Sequence, residues 1–198
     1  MEQGRGAQPG LGGVKQLDRN AGMVAGNRSR SDIVARLEPY WKMEAGNAAL
    51  IPIAILLVSK AQIGWVSLVP MAAMVLLLVI GAMYWHGKVR MVRGEIGTWP
   101  NLMRRLDLLR APALLLSLAG SLVALAGWVK PELSVGLADR LAATGCAVLA
   151  VLEYINYYHR QLQHFDNRAD FQRLLTGRGF RPSWMARDLA EWRRSRSG

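Results

Sequence analysis

The side chains able to do chemistry are few, and they gather toward one stretch of the chain. Glu153, Tyr157, Arg160 and His164 recur at i, i+4, i+7 and i+11, with Asn156 and His159 on an adjacent stripe. On a helix that spacing lines them along one side. A carboxyl, an imidazole and an amide gathered in this way could hold a ligand or pass a proton. The plainer alternative is interhelical hydrogen bonding, with an acid whose stem lies along the helix while its head reaches for water. Glu44, Asn47 and His86 lie at matching positions near the ends of two other apolar blocks, so a folded chain could bring all six groups to one depth.

Metal chemistry finds less support. His159 and His164 have the HxxxxH spacing of the histidine boxes in membrane hydroxylases and desaturases. Those enzymes need several boxes around two irons, whereas this chain has three His in all, His86, His159 and His164. Asp166 and Asp170 are four apart, as acids facing a magnesium ion can be, but a single pair without a further aspartate motif reads better as acids near a helix start. No phosphate loop, HExxH or GxSxG sequence occurs. The lone Cys146 sits in an apolar stretch and is expected to pack. No cofactor and no metal are expected.

The elements that must position these residues follow from where charge is absent. Of 198 residues 52% are hydrophobic, the mean hydropathy is +0.13 and the net charge is +11. The average conceals segregation. No Asp, Glu, Lys or Arg occurs in windows 45–59, 61–87 and 111–129, and 141–159 holds only Glu153. Blocks of this kind belong to a bilayer, so the basic balance argues for a membrane surface and against a soluble nucleic-acid binder.

The fold expected is all-helical, with four transmembrane helices over about 40–59, 64–85, 111–129 and 137–158. The second span is the plainest, because 22 residues at about 1.5 Å each reach roughly 33 Å. Trp65, Tyr84, Trp85 and Trp128 stand at the ends of spans, where amphipathic rings meet headgroups. The first block reaches full length only if it starts near Tyr40, and Pro52 interrupts it. Small residues form one side of the third span, at Ala113, Ser117, Gly120, Ser121, Ala124 and Gly127, and another on the fourth, at Ala138, Ala142, Gly145 and Cys146. They suggest close packing of those two helices on each other, or a homodimer.

Sidedness follows from counting. Four spans leave 22 of the 25 Lys and Arg residues on one side and three on the other, so the positive-inside rule puts both termini in the cytosol of a bacterial inner membrane. Residues 1–31 read as a disordered basic tail, 32–159 as the transmembrane domain and 160–198 as a cytosolic basic tail.

Two cytosolic segments are amphipathic. Leu102, Leu106 and Leu109 recur at i, i+4 and i+7 and predict a linker helix lying on the membrane surface, or a polar N-terminal extension of the third span. In the tail, Phe171, Leu174 and Leu175 mark one short helix. Ser183 caps a second over 184–194, whose apolar face holds Met185, Leu189 and Trp192, with Trp184 at its start. These residues are expected to touch anionic lipid, the end of the bundle or a membrane-protein partner. Function is therefore expected to be that of a non-enzymatic accessory or assembly component working through its cytosolic face. The alternative is a small lipid-handling enzyme or transporter around Glu153, Asn156 and His159.

Overall fold

The computed structural model describes residues 11–162 and 181–197, with side chains from Arg30 onward. Its long helices are α1 (Leu11–Val58), α2 (Trp65–Val92), α3 (Trp99–Val129) and α4 (Leu137–Tyr158), followed by the shorter α5 (Trp184–Ser197). All four long helices contain a stretch long and apolar enough to cross a bilayer. The chain is an integral membrane protein with an all-helical fold.

Helix boundaries match the expected spans best where turn residues bracket them. Gly136 precedes α4, and a single 3-10 turn, Pro131–Leu133, joins it to α3. Elsewhere the helices outrun their charge-free cores. The first begins at Leu11, upstream of the expected span, since Pro9 is the last proline before Pro39. Pro39 and Pro52 lie within α1 without ending it. The expected linker helix is not a separate element. Residues 99–110 are the first three turns of α3, continuous with its apolar part through Pro112, and only a short 3-10 turn, Ile96–Thr98, separates them from α2.

The bundle is built around α2, which packs against α1, α3 and α4. Val66, Met74, Leu77, Ile80 and Tyr84 along it are essentially without exposed surface. In lipid, helices gain little from hiding apolar side chains, so close approach and interhelical hydrogen bonds must hold them together. Gly120 of α3 illustrates the first, because a Cβ there would lie 2.8 Å from the Pro70 backbone of α2. The small face of α3 thus serves α2 more than α4, which corrects the pairing expected from sequence. On α4 the buried small residues are Ala143, Cys146, Ala147 and Ala150, whereas Gly145 is exposed with nothing near it.

One end of the bundle carries the α1–α2 and α3–α4 turns. The other, richer in Lys and Arg, carries the α2–α3 turn and α5. Aromatic pairs tie α1 to α2 near this basic end, with Tyr40 stacked on Trp85 at 5.1 Å and Trp41 edge-on to His86 at 5.2 Å. Tyr158 of α4 donates its hydroxyl hydrogen to the Leu106 carbonyl at 2.9 Å, joining α4 to α3.

Candidate functional site

Three carboxyls, Glu44, Asp139 and Asp188, each make polar contacts between elements of the bundle. Deepest toward the basic end is Glu44 on α1, 3% exposed. Its Oε1 accepts the hydroxyl hydrogen of Tyr157 on α4 at 2.6 Å, in a buried bond that joins the two helices across α2. Its Oε2 is buried and has no hydrogen-bond partner among the described residues. Room for this bridge is made by Gly81 of α2, where a Cβ would lie 2.0 Å from the Tyr157 hydroxyl. Glu153 lies one turn before Tyr157 on α4 and is half-buried. The backbone carbonyl of Tyr157 accepts from the Ser183 hydroxyl.

Of the six residues expected to share this depth, Glu44 and Glu153 lie within reach of each other's charge, and Tyr157 bonds to Glu44. Asn47 is half-buried one turn along α1 from Glu44. Asn156 reaches Glu153 only at 3.4 Å, and its carbonyl oxygen accepts the Leu162 backbone N–H at 3.0 Å, which spends it on closing the end of α4. Both imidazoles lie outside. His86 is exposed beside Trp41, and His159, past the last turn of α4, is exposed against Tyr154 at 5.5 Å between ring centres. The i, i+3 and i+4 spacing lined up the α4 residues, but it could not show that the helix ends at Tyr158 and turns His159 away. His164, Asp166, Asp170 and Phe171 lie outside the described residues.

At the opposite end Asp139 has no exposed surface. It accepts from the Ser67 hydroxyl at 2.6 Å, the Gly64 backbone N–H at 3.0 Å and the Val135 backbone N–H at 3.1 Å. The carboxylate therefore caps α2, to which it is remote in sequence, and the loop before its own helix. The sequence reading passed over it. An acid in the first turn of an apolar span, opposite a span beginning Gly-Trp-Val-Ser, was the available signal.

The third carboxyl, Asp188 of α5, accepts from the Tyr84 hydroxyl at 2.8 Å and pairs with Lys88 at 2.6 Å. Lys88 also lies 5.2 Å from the centre of the Trp99 ring. Asp188 was likewise passed over, although it interrupts the apolar stripe of Met185, Leu189 and Trp192. Ser183 caps α5 as expected, accepting the Ala186 N–H at 3.1 Å. Arg193 forks onto Asp107 of α3.

Of the contacts expected for these residues, the described ones make the contact with the end of the bundle. Met185, Leu189 and Leu106 are buried in the bundle core, and Leu102, Leu109 and Trp192 pack partly buried against it. Continuity of α3 and the pull of Asp188 turn these leucines inward, leaving Trp184, 46% exposed, as the open apolar group of the set.

Among the described residues, grooves open on two flanks of the bundle. One of about 410 Å³ runs between α1 and α4, lined by residues such as Ile51, Ile55, Ala138 and Leu141. The other, about 360 Å³, lies between α3 and α4 near Trp128 and Thr144. Neither is lined by a titratable side chain, so both suit apolar chains better than chemistry. Comparison of the sequence with protein-family models and curated proteins, and of the fold with solved structures, finds no match to any of them.

Proposed function

We propose that this protein is a non-enzymatic component of a bacterial inner membrane, with both termini in the cytosol, whose basic end engages anionic lipid headgroups as part of a larger membrane assembly. The observation that carries this reading is the docking of α5. Its apolar residues are spent on the bundle, while Arg187 remains exposed over the Trp184 ring and Arg194 exposed farther along the helix, at the same end as exposed Arg104 and Arg105 of α3. Cationic side chains held near an anionic surface gain about 1 kcal/mol each, and a tryptophan suits the headgroup layer. A rigid mount adds to this, because the arginines need not be ordered when lipid arrives.

The test is lipid retention. Protein extracted in mild detergent is expected to carry anionic lipid enriched over the bulk membrane, and replacing Arg104, Arg105, Arg187 and Arg194 together by Ala should remove most of that enrichment. Retained lipid of bulk composition in the unsubstituted protein would sink the proposal. Reporter fusions at the two ends test the sidedness independently.

A further inference from the structure

We infer that Glu44, bonded to the Tyr157 hydroxyl and with Glu153 as its neighbour of like charge, is a proton-binding site within the membrane-spanning bundle. Tyr157 has a single O–H, and the 2.6 Å bond commits it to Glu44 Oε1. An ionised carboxylate is an acceptor only, so the second oxygen, Oε2, buried and without a partner among the described residues, is left with unfilled lone pairs. A proton taken up there removes a charge that the apolar surroundings do not match.

Burial and charge point the same way. Glu44 is 3% exposed and its Oε2 has no partner among the described residues. An ionised carboxylate left so in an apolar interior is disfavoured, and such groups take up a proton instead. Among the described residues the charged groups around it offer no rescue. On α1, Lys42 pairs with Glu38 at 3.0 Å. On α2, Lys88 is held by Asp188 at 2.6 Å and His86 is exposed against Trp41. On α4 the charged neighbour is Glu153, of the same sign as Glu44, and two carboxyls at one site resist ionising together. Ser183, the contact from the α5 side, bonds to the Tyr157 backbone and leaves the hydroxyl alone. Binding is the simple step in which one carboxylate and a proton become a carboxylic acid.

The experiment uses the full chain in lipid vesicles treated with a membrane-permeant hydrophobic carbodiimide, which reacts with protonated carboxyls in apolar surroundings. Peptide mapping is expected to find the adduct on Glu44 at neutral pH, decreasing as pH rises. Labelling should fall at least tenfold in Glu44→Gln, and Glu153→Gln should move the pH at which labelling is half-maximal. Infrared spectra, which do not depend on reagent access, should show a carboxylic-acid carbonyl band that shifts in heavy water and is lost in Glu44→Gln. Absence of that band in the unsubstituted protein overturns the inference, as does an unchanged midpoint in Glu153→Gln. Suppression of labelling by sodium at fixed pH would replace the proton by a metal cation and overturn it as well. Size-exclusion behaviour identical to the unsubstituted protein shows that a variant remains folded.

Discussion

Asp139 and Glu44 are both buried carboxyls between helices, yet their surroundings differ in kind. Asp139 receives three donors, two from backbone and one from Ser67, so its charge is matched where it lies. Glu44 receives one donor on one oxygen and none on the other. The first arrangement fixes geometry, because a fully bonded anion has little to gain from any other state. The second keeps open a hydrogen-bonding valence that something must fill. Near the turns, then, the bundle is sealed by a carboxylate, while toward the basic end it contains one with capacity to spare.

The contrast can be broken most forcefully at its sealed end. Asp139→Ala leaves the Gly64 and Val135 backbone N–H groups without their acceptor, while the Ser67 hydroxyl keeps the Gly64 carbonyl at 3.1 Å, which at about 1–3 kcal/mol for each unsatisfied donor comes to about 2 kcal/mol or more. Unfolding in detergent should report a loss of that size, and one below about 1 kcal/mol would mean that water reaches the site. Next comes Gly81→Ala. Its Cβ would collide with the Tyr157 hydroxyl, so overpacking should cost about 1–3 kcal/mol. Combined with Glu44→Gln the losses should be less than additive, since both variants strike one bond. Strict additivity would separate Gly81 from the site.

Asp188→Ala addresses what covers the open end. It takes away the acceptor shared by the Tyr84 hydroxyl and Lys88, together about 1.5 kcal/mol for these partly exposed bonds, and protease cleavage between α4 and α5 should become about tenfold faster, while the Glu44 carbonyl band stays in place. Loss of the band would show that α5 maintains the site. The smallest effect is expected at the α1–α2 turn, where Lys60 and Ala61 have φ of 52° and 58°. A left-handed conformation costs a residue with a side chain about 1 kcal/mol relative to glycine. Ala61→Gly should therefore raise stability by up to that amount, and a decrease would mean that the chain entropy added to the unfolded state outweighs the relief.

The four spans could be read from sequence because charge is excluded from lipid one residue at a time, and runs such as 61–87 record that exclusion directly. Side chains at helix ends were read less well. Leu102, Leu106 and Leu109 have the same spacing whether they face headgroups or a neighbouring helix, and nothing local shows that α3 continues unbroken from Trp99. Glu44 and Glu153 were found because they are acids in apolar company. The bond from Tyr157 to Glu44 was beyond reach, for it depends on Gly81 of a third helix letting the phenol through. Asp139 escaped notice for a related cause, since its partner Ser67 lies 72 residues away.

The placement of α5 also bears on how the protein is made. Asp188 closes onto Lys88, 100 residues earlier, and Ser183 onto the last turn of α4. Insertion proceeds from the amino end, so the first four helices must wait in the bilayer as an unfinished bundle until the ribosome has delivered this segment. Any chaperone that shields Tyr84 and Leu106 during that interval must leave before α5 can settle.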